Sequence, residues 1–226
     1  MARAEDAAAP AELPDSPGAS YVATPAPMGG GDETPAGMAP KYHRVIQPYE
    51  IAQKLSAKDK FLLSIHENLT LSNVGSSLFS AGYSQLLDGR PHFGEDMPAF
   101  GERFGASMLK GATQNISRDG IFANIFHEDP HYYVRGRSVP IRHRALYAAS
   151  RVFVVRKDSG SHGVYYSNIA AICLANSLTN FYYPVRDQGQ KETFQSIGMS
   201  FITNMGTNEL KEFLGDALGL VFHKKR

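Results

Sequence analysis

Two long stretches of the chain contain no Asp, Glu, Lys or Arg, and they restrict the folds that are open to it. They cover residues 68–87 and 159–185. Both are long enough to cross the hydrocarbon core of a membrane, which needs about 20 residues. However, they carry several Asn and Ser side chains, which are costly in lipid. We therefore expect tightly packed helices in a soluble or membrane-associated domain, with short helical membrane spans as the alternative.

Helical periodicity of the apolar residues begins near residue 55 and continues almost to the end of the chain. The first predicted helix begins at Ser56, a candidate N-cap with Asp59 as its capping-box partner. Another predicted helix begins at Pro98, because proline suits the first turn of a helix. The sequence contains no convincing alternating strand pattern and no internal repeat. Further helices are predicted at residues 117–127, 141–155, 167–182 and 191–222.

The second predicted helix has the clearest apolar face. Its large side chains follow the i, i+3, i+4, i+7 spacing that brings residues to one side of a helix. The fold class predicted from these patterns is all-α, a single domain of about six or seven Gly/Ala/Ser-rich helices. The residues of that apolar face are Leu71, Val74, Leu78, Phe79, Gly82 and Leu86.

The N-terminal segment has a different composition from the rest of the chain. Residues 1–40 contain seven of the 13 prolines, and six acidic side chains stand there against Arg3 alone. Such a segment buries too little apolar surface to offset the entropy lost on ordering. We therefore expect a disordered, acidic Pro/Ala/Gly-rich tail over residues 1–45 and a helical domain over residues 46–226.

Charge and cysteine content exclude some classes of function. The formal net charge is +1, which does not indicate a nucleic-acid-binding protein. The chain has one cysteine, Cys173, so it forms no intramolecular disulfide and no cysteine zinc cluster. No export signal is recognisable, yet "ARAED" near the start has the small-x-small pattern found around signal-peptidase cleavage sites. An exported chain is one expectation, and a cytoplasmic chain is the alternative.

One short segment matches the pattern of a zinc peptidase. In "FHEDPHYY", His127, Glu128 and His131 form an H-E-x-x-H motif. In such enzymes two histidines four apart on one helix bind zinc, and the glutamate activates its water. Here Pro130 lies between the histidines, and proline breaks a helix interior at a cost of about 3 kcal/mol. The favoured interpretation is a helix that ends at Glu128 or Asp129, with no metal, no cofactor and no catalytic residue.

A basic segment follows directly after this motif. It contains seven cationic side chains between residues 135 and 157 and no acidic one before Asp158. A basic amphipathic helix in this position favours contact with anionic lipid or with an envelope protein partner. The alternative is pairing inside the fold with the acidic residues at positions 95, 96, 102, 128 and 129. The candidate lipid-binding residues are Arg135, Arg137, Arg142, Arg144, Arg151, Arg156 and Lys157.

Several strings of the sequence resemble, in the same order, a module of uncharacterised bacterial envelope proteins. They are "AFGERFGA", "FHEDPHYYVRG", "RALYAASRVFVVRKDSG", "SNIAAICLANSLTNFYYP" and "NELKEF". In that group a carboxypeptidase-regulatory-like domain often precedes the module, and no such domain is recognisable here. The position of His131 is usually Arg in that group, which would remove a zinc ligand. The resemblance implies an envelope location and no established activity.

The function expected from the sequence is a non-enzymatic one, structural or interacting, at the cell envelope. In this interpretation the basic segment contacts anionic lipid or a partner. Two alternatives belong to other classes: a zinc-dependent hydrolase that uses the H-E-x-x-H motif, and an integral membrane protein with short helical spans.

Overall fold

The computed structural model describes the backbone of residues 37–222 and the side chains of residues 37–218. The tail predicted for residues 1–45 therefore lies outside the described residues as far as residue 36. The residues from 37 onward belong to the folded part, because Ala39 is buried and Arg44 forms an ion pair with Asp119. The folded part thus begins several residues before the predicted boundary at residue 46.

The fold is all-α, as the sequence predicts. Ser56 and Asp59 form the predicted capping box of the first helix, and Pro98 lies in the first turn of the third. The third helix continues without a break into a π-helix at Ile116–Phe122. The helices are α1 (Ala57–Asn68), α2 (Leu71–Leu86), α3 (Met97–Asn115), α4 (Ala123–Ile125), α5 (Ile141–Ser150), α6 (Tyr166–Leu178) and α7 (Gln190–Phe222).

Short strands, which the sequence analysis did not predict, complete the described part of the fold. Strands β1 (Val45–Ile46) and β2 (Tyr132–Tyr133) pair in parallel and join the N-terminal segment to the loop after α4. Strands β3 (Val154–Arg156) and β4 (His162–Val164) form an antiparallel hairpin. The predicted helix over residues 141–155 is therefore shorter than expected, since α5 ends at Ser150 and the chain turns into β3.

The helices pack closely because most of the apolar side chains between them are small. α2 packs on α3, α1 and α6 pack on the π-helix, and both α5 and α6 pack on α7. Small side chains allow helix backbones to approach, whereas close-packed large ones keep them apart. Only a few large apolar residues are buried, among them Leu63 and Ile172. The buried alanines are Ala39, Ala81, Ala99, Ala106, Ala123, Ala148, Ala171 and Ala175.

The large apolar side chains of α2 lie on the outside of the domain. Leu71 and Leu86 are 87% and 86% exposed, and Phe79 is 74% exposed. The buried residues of this helix are Ser77 and Ala81. The predicted apolar stripe is thus a real face of α2, but it is turned away from the core. Among the described residues, no helix combines the length and the apolar character required to cross a bilayer.

The π-helix approaches α1 closely at Gly120. A Cβ at this position would lie 2.9 Å from Cδ2 of Phe61 and 2.9 Å from Oγ of Ser64. Only glycine leaves room for that approach. In contrast, a Cβ at Gly105 on α3 would meet no atom within 4 Å.

These two helical glycines are expected to respond in opposite ways to alanine. Gly105→Ala raises the free energy of unfolding by roughly 1 kcal/mol, because alanine loses less backbone entropy in a helix. Gly120→Ala lowers it by roughly 1–3 kcal/mol, because the added methyl group overpacks the contact with α1. Urea denaturation of the two variants and the parent chain measures both changes. Equal effects at the two positions would contradict the packing described here.

Candidate functional site

The H-E-x-x-H segment does not lie on a continuous helix. α4 ends at Ile125, earlier than the predicted end at Glu128 or Asp129. His127 has a φ of 54°, a left-handed backbone conformation that interrupts any helix. The two histidines therefore lack the helical spacing by which this motif binds zinc. Within residues 37–218, no group of three or more His, Cys, Asp or Glu side chains is placed to hold a metal ion.

Glu128 caps the N-terminus of α6. Its carboxylate accepts hydrogen bonds from the backbone N–H groups of Tyr166 and Ser167, at 3.0 and 3.1 Å, and from the hydroxyl of Ser167. The N-cap residue of this helix, Tyr165, makes no side-chain capping bond. A buried carboxylate at this position satisfies donors that the helix cannot satisfy and complements the helix dipole. Glu128 thus has a structural partner for both carboxylate oxygens.

Asp129 and His131 form a hydrogen-bonded pair next to this cap. Oδ1 of Asp129 lies 2.6 Å from Nδ1 of His131, and Oδ2 accepts a 2.7 Å hydrogen bond from the hydroxyl of Tyr133. Burial alone would raise the pKa of Asp129, but the bonds from His131 and Tyr133 outweigh it and lower the pKa. Asp129 is therefore ionised at neutral pH. This pair fixes the orientation of the buried His131 ring.

Replacement of Glu128 is expected to destabilise the fold far more than replacement of His127. Glu128→Gln places an amide N–H against donors of α6 and lowers the free energy of unfolding by roughly 3 kcal/mol, the value of hydrogen bonds to a charged group. His127→Asn is expected to change it by less than about 0.5 kcal/mol, because His127 is exposed and Asn tolerates positive φ. Chemical denaturation at neutral pH measures both. If both residues served one zinc site, both variants would lose bound metal together.

The basic segment divides between the interior and the surface. Arg144 is buried, and its guanidinium lies 2.8 Å from a carboxylate oxygen of Glu212 and 2.6 Å from one of Asp216. Its partners thus lie on α7, and not among the acidic residues at positions 95, 96, 102, 128 and 129. Arg151 is also buried, stacked at 5.6 Å on the ring of Tyr147. Neither of these two arginines is placed to contact lipid.

The other cationic side chains of the segment lie nearer to solvent. Arg137 is 66% exposed and pairs with Asp216 at 2.7 Å. Arg142 is exposed and makes no hydrogen bond or ion pair with the described residues. The guanidinium of Arg135 lies over Tyr147 and that of Arg156 over Tyr133, at 4.3 and 5.1 Å from the ring centroids. These two arginines and Lys157 are partly exposed.

α5 therefore presents a different side to solvent from the one that its sequence indicates. The arginine spacing predicts a cationic face that carries Arg144 and Arg151, with Leu146 elsewhere on the helix. In the structure that cationic face is turned inward, and Leu146 and Ile141 are both 71% exposed. The outer face combines these two apolar side chains with Arg142.

A polar cavity of about 300 Å³ lies between α2, α3, the π-helix, α6 and α7. Amide and hydroxyl side chains form much of its wall, and few lining side chains are apolar. Arg151, His131 and four further cationic or acidic groups also reach it: Arg44, Glu67, Arg118 and Lys211. The amide side chains of the wall are Asn73, Gln114, Asn115, Asn168, Asn204 and Asn208.

Two arginines of the cavity wall, Arg44 and Arg118, are held by the buried carboxylate of Asp119 behind them. Asp119 lies 2.6 Å from Nη1 of Arg44 and 2.9 Å from Nε of Arg118. Burial alone would raise the pKa of Asp119, but the positive charges of Arg118 and Arg44 outweigh it and hold that pKa below its usual value. The carboxylate is therefore ionised and has both oxygens occupied.

Lys211 of α7 reaches the same cavity. Burial, together with the positive charge of Arg44, lowers the pKa of Lys211 to about 7, while Glu67 acts in the opposite direction. Its ammonium group makes no hydrogen bond with the described residues. A lysine with this pKa is only partly protonated at neutral pH, and an anion bound beside it favours the protonated form.

Of the charged residues of this cavity, the sequence analysis named Arg151, as a candidate lipid-binding residue, and His131, in the H-E-x-x-H motif, but not the others. Arg44 lies in a segment that was predicted to be disordered, and Lys211 in a long helix without an evident charged face. One signal was present, since the adjacent Arg118 and Asp119 stand between the apolar residues Ile116 and Ile121. A charge pair inside an apolar helical run predicts a buried and partnered site.

Comparison with known proteins gives no guide to this site. No protein-family model, curated protein or solved structure matches the chain.

Proposed function

We propose that this chain is a non-enzymatic domain of the cell envelope that binds the surface of an anionic membrane through the outer face of α5. The observation that carries this proposal is the composition of that face. It joins Ile141 and Leu146, both 71% exposed, to the exposed cation Arg142, and the exposed Arg137 lies in the loop before the helix. This set, Arg137, Ile141, Arg142 and Leu146, is called the α5 face below.

The apolar part of the α5 face suits the boundary between lipid headgroups and acyl chains. Arg142 and Leu146 are four residues apart, so they are neighbours on the helix surface. A helix that lies in the plane of the membrane buries such apolar side chains while its arginines remain among the headgroups. α5 has 10 residues, a length that supports contact with one leaflet.

The charge of the α5 face suits anionic lipid. Arg142 has no partner among the described residues, and the ion pair of Arg137 is exposed and therefore weak. No acidic residue occurs between Arg135 and Lys157 in the sequence. Each such cation contributes about 1 kcal/mol to association with an anionic membrane surface.

The exterior of other helices supports lipid over a protein partner. Leu71, Phe79 and Leu86 of α2 are exposed, and so are Phe194 and Leu210 of α7. These side chains lie on different helices and do not form one compact patch of the kind that a single protein partner covers by shape complementarity. A membrane accommodates such side chains without shape complementarity.

Flotation with lipid vesicles tests the α5 face. The parent chain is expected to bind vesicles that contain phosphatidylglycerol, to bind phosphatidylcholine vesicles weakly, and to dissociate at high salt. Arg142→Glu changes two units of charge, so the apparent affinity for anionic vesicles falls roughly 30-fold at about 1 kcal/mol per charge. Leu146→Ser lowers the affinity for both kinds of vesicle.

The matched control is Lys58→Glu, which makes the same change of charge at an exposed position of α1. It is expected to retain most of the vesicle binding. Equal losses for Lys58→Glu and Arg142→Glu would contradict a specific α5 face. Failure of the parent chain to bind any vesicle, together with retention in the envelope fraction of cells, would instead indicate a protein partner.

A further inference from the structure

The polar cavity between α2, α3, the π-helix, α6 and α7 carries more positive than negative charge. Four cations reach its wall: Arg44, Arg118, Arg151 and Lys211. Two carboxylates oppose them. Asp119 pairs with Arg44 and Arg118, and Glu67 lies at the cavity wall. Glu67 acts on Lys211, so Arg151 is the cation of the wall that faces no carboxylate partner among the described residues.

Arg151 is the most informative of these cations. It is only 5% exposed, and its side chain makes no hydrogen bond or ion pair with the described residues. The guanidinium of Arg151 is stacked on the ring of Tyr147. A buried guanidinium has five N–H donors, and leaving them without acceptors is costly. The position of Arg151 in the cavity wall offers these donors to a bound acceptor.

Further donors in the same wall also lack acceptors among the described residues. They are Nε of Arg44 and Nδ2 of Asn204, both fully buried. The protonated form of Lys211 adds three N–H donors, and none of them bonds to a described residue. Because these groups are all donors, the chemistry that satisfies them together is an oxyanion.

The rest of the wall is suited to hydroxyl groups. Amide side chains such as Asn73 and Asn168, and hydroxyls such as Thr203 and Thr207, both donate and accept hydrogen bonds. The volume of about 300 Å³ matches the lower end of the range for small-molecule sites. An apolar ligand would leave these groups unsatisfied, so a small hydroxylated molecule fits them better.

We propose that this cavity binds a small polyhydroxylated anion, a sugar or polyol that bears one phosphate or carboxylate group. Arg151 and Lys211 hold the oxyanion, with Arg44 in support. The amide and hydroxyl side chains hold the hydroxyl groups. This proposal does not depend on membrane binding, since the α5 face and the cavity share none of the residues that carry the two arguments.

Among the described residues, one carboxylate, Glu67, lines the cavity together with three arginines, Arg44, Arg118 and Arg151, so the wall disfavours a cation. The carboxylate of Asp119 already accepts hydrogen bonds from Arg44 and Arg118, so neither oxygen is free for a metal ion. Asp129 is occupied in the same way by His131 and Tyr133. The accessible donors are therefore directed at negative charge.

Isothermal titration calorimetry of the full chain tests the proposal with four probes: glucose 6-phosphate, glucuronate, inorganic phosphate and glucose. Glucose 6-phosphate or glucuronate is expected to bind with a dissociation constant at least about tenfold lower than that of glucose, which corresponds to about 1.4 kcal/mol. Preference between the two anions distinguishes a phosphate from a carboxylate site. Binding of inorganic phosphate alone would overturn the sugar part of the proposal.

Substitution of the cations locates the site. Lys211 is partly exposed and glutamine is only one atom shorter than lysine, so Lys211→Gln is expected to fold and to weaken anion binding at least about tenfold. Arg151→Lys tests the second cation with its charge retained, and circular dichroism confirms that it is folded. The matched control is Lys110→Gln, which removes a lysine whose pKa burial lowers to about 8 and which lines a different cavity.

Three results would overturn the proposal. One is the absence of heat and of thermal stabilisation with every anion at millimolar concentration. Another is equal binding of glucose and of the two sugar anions. The third is equal weakening by Lys110→Gln and Lys211→Gln, which would indicate a general charge effect.

Discussion

The fold depends on buried carboxylates that each join segments far apart in the sequence. Asp119 of the π-helix binds Arg44 of the N-terminal segment, and Glu128 caps α6. Glu212 of α7 binds Arg144 of α5 and also accepts hydrogen bonds from Tyr132 and from the backbone of residue 135. Removal of one partner from a buried pair costs about 3–5 kcal/mol, because the other charge stays buried and unpaired. These carboxylates therefore set which helices are neighbours.

Ion pairs and alanines occupy much of the interior, and many of the large apolar side chains lie on the outside. α2 shows this most clearly, since Ser77 and Ala81 face the core while Phe79 faces outward. Small side chains let the helices approach, and the polar groups between them find partners across that short distance. The same arrangement produces both candidate sites. Where the helices stay apart, polar groups line a cavity, and where they meet solvent, apolar faces remain uncovered.

Local features of the fold were predictable from the sequence, and long-range ones were not. The capping box of Ser56 and Asp59 and the turn made by Pro98 depend on residues within one helical turn, so their pattern is visible in the chain. The partner of Arg144 is 68 positions away, at Glu212, and periodicity carries no information about such a distance. For the same reason the sequence predicts the apolar face of α2 but does not indicate whether that face packs on the core or lies in solvent. Burial of a polar face requires partners that only the folded chain provides.

The segment from residue 127 to residue 157 illustrates how one stretch of sequence serves several structural purposes. α4 ends just before His127, Glu128 caps the N-terminus of α6, and Asp129 fixes His131 at the cavity wall. A pattern that looks like a peptidase motif is thus explained residue by residue through hydrogen bonds. The arginines that follow differ in exposure, because α5 turns Arg144 toward α7 and Arg142 toward solvent. Its inner side binds α7 and leads to Arg151 at the cavity, while Arg142 is exposed and its side chain has no partner among the described residues.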